Sequence, residues 1–253
     1  MSNSTLFLPT PPWSTSFRRM ESATRKALFE FSMLEGISRL AVAVSGGKDS
    51  LTLLSLLHAI CGKGTQPIEL ICLHVSGEFS CGAAVSQNLL KNMCEKQKIP
   101  LHIKEIPSGY TPKGCYSCSR VRRKFLFDMA KTHGCTTIAF GHHLDDGIQT
   151  LLMNLCHKGE FAGLLPKIKL VKYGITIIRP LIYLSEDDIS SFAKKYGFFR
   201  FTCSCPFGKS SFRKKTKNAI DVLTALYPHA RENLARAALC YGSKKAALVS
   251  DKP

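Results

Sequence analysis

No apolar run in this 253-residue chain approaches the roughly 20 residues that a membrane span requires, and the opening Met1-Ser-Asn-Ser-Thr-Leu-Phe-Leu-Pro9 has no basic flank. A cytoplasmic protein without membrane contact is the expectation. Acidic residues are scarce too: 18 Asp and Glu face 35 Lys and Arg, a net charge of +17. Such an excess favours a polyanionic partner, because each phosphate neutralised releases counterions, and nucleic acid is the partner it points to. A basic surface kept for solubility, or one facing an acidic membrane, is the plainer alternative. Neither an internal repeat nor a low-complexity tract is visible. The eleven cysteines would suggest disulfides in a secreted chain, but nothing indicates export, so they divide into core residues and ligands. Cys61, Cys72, Cys94, Cys135 and Cys156 lie in apolar or helical stretches and read as small buried hydrophobes.

The most informative feature present is Ser45-Gly46-Gly47-Lys48-Asp49-Ser50, between the β-branched run Leu40–Val44 and the helical run Leu51–His58. A glycine-rich turn from strand to helix is a phosphate site: backbone N–H groups close on the anion, the helix aims its positive end at it, and Lys48 adds a cation. It is not a Walker A loop, which needs Ser or Thr directly after the lysine, where this chain has Asp49. A carboxylate in an anion cradle implies a divalent cation beside it, so Asp49 suggests magnesium shared with phosphate oxygens. The bland alternative is an ordinary Gly-Gly turn with a solvated Lys-Asp pair.

Five β-rich runs, Leu40–Val44, Ile68–Val75, Leu101–Ile106, Thr136–Phe140 and Ile175–Arg179, alternate with helical stretches. The alternation predicts an α/β fold, a doubly wound parallel five-stranded sheet with helices on both faces and ligands at the carboxyl ends of the strands. Gly141-His-His-Leu-Asp-Asp146 follows the fourth strand at such an end. The expected organisation is a mobile N-terminal arm over 1–19, an ATP-binding α/β domain over 20–183, and a helical extension over 184–253. The extension would carry helices at Glu186–Tyr196, Ser210–Leu226 and His229–Leu239.

A second constellation is Cys115-Tyr-Ser-Cys118, followed at once by the basic run Ser119–Lys124 and later by Cys203-Ser-Cys205. Two thiols at CxxC spacing can face one centre, and neighbouring guanidinium groups stabilise thiolates. Spacing alone leaves three outcomes open: a structural zinc held by four cysteines, a redox or persulfide pair, and an iron–sulfur cluster.

The loop Ser45–Ser50 resembles the SGGxDS signature of the PP-loop ATP pyrophosphatases, an adenine nucleotide alpha hydrolase-like fold. Taken with Cys115–Arg123, Gly141–Thr150, Leu164-Leu-Pro-Lys167, Arg179-Pro-Leu181 and the late cysteines, the chain resembles the TtcA family of tRNA 2-thiocytidine synthetases. That resemblance implies ATP-dependent adenylation of a cytidine in the tRNA anticodon loop and a [4Fe-4S] cluster held by three cysteines. It implies Cys115, Cys118 and one late cysteine as ligands. The late pair here is spaced by one residue rather than two, and family register favours Cys205 over Cys203. No acidic residue stands in Ser76–Gly82 other than Glu78, where the family carries Asp.

The expected roles follow from loop chemistry and family motif together. Ser45, Gly46, Gly47 and Ser50 cradle the pyrophosphate, Lys48 neutralises its developing charge, Asp49 and Asp146 bind magnesium, and His142 lies beside phosphate or adenine. Capping of the following helix is the alternative use of the carboxylates, stronger for Asp145 than for Asp146. His143 is expected to be structural. The implied partners are tRNA, a sulfur donor such as a cysteine desulfurase and, as an option, a second copy in a homodimer. Competing readings are a cluster-free PP-loop enzyme acting on another tRNA base, and a zinc-containing RNA-binding protein with a regulatory nucleotide site.

Overall fold

The computed structural model describes residues 8–77, 87–107, 109–110, 114–198 and 212–240. Six strands form one sheet in the order β3-β2-β1-β4-β6-β5. They are β1 (Arg39–Ala43), β2 (Glu69–Ser76), β3 (Leu101–Glu105), β4 (Thr137–Ala139), β5 (Lys167–Leu170) and β6 (Ile175–Ile178). All neighbours run parallel except β5, which pairs antiparallel with β6, Lys167 opposite Ile178 and Leu170 opposite Ile175. The five-stranded expectation therefore lacked this edge strand. Lys167-Ile-Lys-Leu170 alternates basic and apolar residues over only four positions, and its tight return to β6 passes through Gly174 at φ 60°.

Side chains alternate between the two faces of the sheet, and each face has its own helices. Leu40 and Val42 of β1 with Leu70 and Cys72 of β2 meet α1 (Thr15–Glu30), α2 (Lys48–Ile60), α3 (Gln87–Gln97) and α6 (Glu186–Lys195). Ala41, Ala43, Ile71 and Leu73 on the opposite face meet Leu126, Phe127 and Ala130 of α4 (Cys115–Thr132). A smaller cluster of Ile148, Ile220 and Ala235 joins α5 (Leu144–Lys158) to α7 (Phe212–Leu226) and α8 (Ala230–Cys240).

Three boundaries differ from the sequence expectation. Helix α1 starts at Thr15, inside the expected arm, because Ser14 accepts the Phe17 N–H at its N-cap and Phe17 is fully buried between Trp13 and Phe192. Burying that ring contributes about 1.5–3 kcal/mol, enough to hold the segment down. Helix α6, expected in the extension, packs through Ile189 and Phe192 into the main core, so α7 and α8 form the appended pair. Helix α4 opens at Cys115, whereas the sequence reads as helical only over Ser119–Thr132, and Gly114 is its N-cap at φ 150°. Among the other cysteines, Cys72, Cys94 and Cys135 are buried and Cys61 half-buried, whereas Cys156 is exposed, contrary to its expected place in the core.

Strand order decides where a ligand can sit. The chain proceeds from β1 outward to β2 and β3, then returns to place β4 on the other side of β1. The loops leaving the neighbouring strands β1 and β4 flank a crevice at their carboxyl ends. The phosphate loop and the Gly141–Asp146 loop are its two walls.

Candidate nucleotide site

The β1–α2 loop is built to receive an anion. Gly46 has φ 85°, a left-handed conformation that favours glycine. Gly47 is the N-cap of α2 and supplies no side-chain oxygen, so the first turn keeps free N–H groups for a ligand. Ser45 Oγ takes the Gly47 N–H at 3.3 Å and lies 3.3 Å from Ser50 Oγ, which itself donates to the Gly47 carbonyl at 2.9 Å. These bonds set the turn before any ligand arrives. His74, which no local sequence pattern singles out, supports it from β2: its Nδ1–H donates to the Val44 carbonyl at 2.8 Å.

Lys48 does not reach freely into the crevice. Its Nζ lies 2.6 Å from Asp49 Oδ1 and 3.8 Å from Glu186 Oε1, while Lys217 of α7 takes the other oxygen of Glu186 at 2.9 Å. Burial raises the Glu186 carboxyl, but Lys217 and Lys48 outweigh it and leave its pKa below the ordinary value.

The opposite wall comes from the β4–α5 turn. Gly141 presses on the first turn of α2, and the two adjacent acids after it divide their work. Asp146 Oδ2 accepts the His143 N–H at 3.2 Å, closing the start of α5, and Oδ1 meets Arg213 at 3.2 Å. Asp145 turns away from the pocket: it accepts the Glu186 N–H at 2.6 Å and pairs with Arg231 of α8. Successive helical residues lie about 100° apart, so the two carboxylates cannot face the same way. Burial opposes ionisation of Asp145, yet His143, the Glu186 N–H and Arg231 bring it down to about 2. Capping by Asp145 in preference to Asp146 is thus reversed, and Asp145 links α5, α6 and α8.

His143 stands among three acids. Nε2 is 3.5 Å from Asp146 Oδ2 and 3.9 Å from Asp49 Oδ1, and Nδ1 is 3.7 Å from Asp145 Oδ2. Burial disfavours its charge, but the carboxylates prevail and raise its pKa. His142 shows the reverse: burial, followed by the guanidinium groups of Arg179, Arg213 and Arg123, pushes its pKa well down. Its ring stacks on Phe140 with centroids 5.8 Å apart, and Nδ1 is buried without a hydrogen-bond partner.

Between the walls lies a pocket of about 430 Å³. Ser45, Asp49 and Ser50 line it on one side, His142 and Asp146 on another, Ser119, Arg122 and Arg123 of α4 on a third, and Arg213 at the edge. Arg122 Nε and Arg179 Nε are buried without partners, and burial with the nearby Arg123 pulls the Arg179 guanidinium down to about 10. Arg122 lines the pocket, and its unpaired buried donor in a cation-rich cavity calls for an anionic ligand. Asp49 and Asp146, both within reach of His143, are the oxygen donors available there for a divalent cation.

The structure brings Ser45, Asp49, Ser50, His142 and Asp146 together, with Gly46, Gly47 and Lys48 in the same turn. Cys118 is buried one turn along α4 from Cys115 and next to pocket-lining Ser119. Cys203 and Cys205 lie outside the described residues. Sequence reasoning missed Glu186, Arg213 and Arg231; they come from helices whose contacts no local motif announces. Arg179 carried a signal only as part of Arg-Pro-Leu.

Comparison with known proteins agrees with this construction. A PP-loop domain family matches residues 18–202. The chain is 35% identical over 227 residues to the tRNA-cytidine(32) 2-sulfurtransferase of Syntrophotalea carbinolica, covering 86% of this chain and 87% of that one. The protein of the same name from Paracoccus denitrificans is 32% identical over 238 residues, covering 89% and 80%. In fold it resembles the U34-tRNA thiolase NcsA from Methanococcus maripaludis, solved with its [4Fe-4S] cluster, with TM-score 0.72 at 22% identity, covering 94% and 80%. On the phosphate loop, the crevice and these relatives, the chain belongs to the PP-loop ATP pyrophosphatases and, within them, to the TtcA family of tRNA 2-thiocytidine synthetases.

Proposed function

We propose that this chain is an ATP-dependent tRNA sulfurtransferase that converts a cytidine of the anticodon loop to 2-thiocytidine. One observation carries the reading: α4 begins with the cysteine pair and, within its next turn, lines the phosphate-loop pocket with Ser119 and Arg122. This arrangement supports thiol chemistry beside nucleotide activation.

Cytidine O2 attacks the α-phosphorus of ATP and pyrophosphate departs along the phosphate loop. Hydrosulfide then adds at C2, and AMP leaves with the former O2, so no net oxidation occurs. The first step is needed because a carbonyl oxygen is a poor leaving group and AMP a good one. Backbone N–H groups of the Gly46–Ser50 turn hold the departing pyrophosphate, and Lys48 follows the growing charge. Asp49 and Asp146 would hold magnesium. His142, kept neutral, offers Nδ1 to the nucleotide. Arg122 and Arg123 stabilise the phosphates from the other wall.

Cys115 and Cys118, three apart on one helical face, together with Cys205, are the proposed cluster ligands, with Cys203 as the alternative. A cluster held by these cysteines would supply iron able to bind sulfide. The sulfur source in this reading is a cysteine desulfurase, and a homodimer is compatible with it. None of the described helices is long and apolar enough to cross a membrane.

The test is ATP turnover by anaerobically reconstituted protein. AMP and pyrophosphate should form in equal amounts only when tRNA is present, and Asp49→Asn should stop their release while tRNA affinity stays within about twofold. Turnover independent of tRNA would contradict the proposal.

A further inference from the structure

Arg213 lies in α7, beyond the matched PP-loop domain of residues 18–202, yet it lines the same pocket as Asp49, Ser50 and Asp146. We propose that Arg213 is a phosphate-binding residue supplied by the C-terminal helices, with its ion pair to Asp146 as a resting position that a bound nucleoside triphosphate releases. This rests on the nucleotide reading of the pocket and adds a residue to it.

Four relationships support the proposal. The resting pair is a single contact, Nη1 to Oδ1 at 3.2 Å, and the arginine side chain is 54% exposed, so parting the two costs little. Asp146 keeps its other anchor, the His143 N–H on Oδ2, when Arg213 departs. The helix beneath Arg213 is fixed: Ile220 is buried against α5 and α8, and Lys217 bonds Glu186 at 2.9 Å. A rigid base with a movable tip is what a ligand-seeking side chain needs. Finally, charge drives the exchange. Arg122 and Arg123 line the same pocket without an ion pair among the described residues, so an incoming anion meets a cationic cluster that Arg213, once released from Asp146, can join. Its departure frees the Asp146 oxygen that a divalent cation would take.

The experiment compares α,β-methylene-ATP with AMP by isothermal titration calorimetry, in magnesium, on the full chain. Wild type should bind the triphosphate analogue more tightly than AMP. Arg213→Gln should lose tenfold or more of the triphosphate affinity and change AMP affinity by less than twofold, at an unchanged melting temperature. Arg213→Lys should recover part of the loss. The reference for a mere tether is Arg231→Gln, which cuts the α8 bond to Asp145 and should lower the melting temperature. If Arg213→Gln binds the analogue as tightly as wild type, or melts early and loses both ligands equally, the proposal is overturned. Absence of analogue binding by wild type would overturn the nucleotide reading itself, a distinguishable result.

Discussion

Gly141 and Asp49 touch through their backbones: a Cβ on Gly141 would come within 3.0 Å of the Asp49 carbonyl carbon and of the Ser50 nitrogen. This contact clamps the β4–α5 turn onto the phosphate loop and sets the width of the crevice.

Gly141→Ala should therefore separate the two walls, since neither backbone atom can swing aside as a side chain would. Overpacking of this kind costs about 1–3 kcal/mol. Affinity for α,β-methylene-ATP is expected to fall about tenfold, near 1.4 kcal/mol. Calorimetric titration beside thermal unfolding checks it; unchanged affinity would show that the clamp is not needed.

His142 predicts a pH dependence. Its folded pKa lies well below 6.5, so in the unfolded chain it takes up a proton near 6.5 while in the folded protein it stays neutral. Stability from this group is unaffected above pH 6.5 and is lost as pH falls below it, by up to about 1.4 kcal/mol per pH unit. His142→Gln should flatten the fall in urea midpoint between pH 6.5 and 5. An unaltered slope would place the pH sensitivity elsewhere.

RNA contact should reside on basic groups outside the pocket. Arg120, Lys124, Lys214 and Lys215 are exposed, whereas Arg122 and Arg123 line the pocket and would confound a charge reversal. Reversing the first four to Glu should weaken tRNA binding and reduce the slope of log affinity against log salt by about 0.7–0.9 for each lost contact. A slope that does not move would mean these side chains are only solvated.

The late cysteines should differ. Family register favours Cys205 over Cys203, and only one of the two is needed beside Cys115 and Cys118. Cys205→Ser is expected to lose iron after anaerobic reconstitution, while Cys203→Ser keeps most of it. The opposite outcome moves the ligand to Cys203, and loss in both points to four-cysteine zinc.

The central crevice was legible because its signals are local. Gly46-Gly47 between strand and helix, and His-His-Leu-Asp-Asp after the next inner strand, each fix their own backbone, and strand order alone brings them together. What sequence did not reveal depends on contacts between distant segments. The sequence favoured Asp146 for the metal and Asp145 for capping, but that Asp145 would instead bond the Glu186 N–H and Arg231 depends on the packing of α6 and α8. His143 has Asp145 and Asp146 beside it in sequence, but its third acidic neighbour, Asp49, comes from a distant segment. Arg213 sits in a basic run with Lys214 and Lys215, where nothing distinguishes the one side chain that faces the pocket. The edge strand β5 was too short to stand out, and Phe17 was hidden in a Pro- and Ser-rich neighbourhood that suggested a mobile arm.

The most direct measurement is mass spectrometry of tRNA nucleosides from cells lacking this protein, complemented with wild type or with Asp49→Asn. The account predicts that 2-thiocytidine disappears, returns with wild type and does not return with the variant, while thiolated uridines stay constant. Normal 2-thiocytidine in the deletion strain, or loss of a thiolated uridine instead, would contradict it.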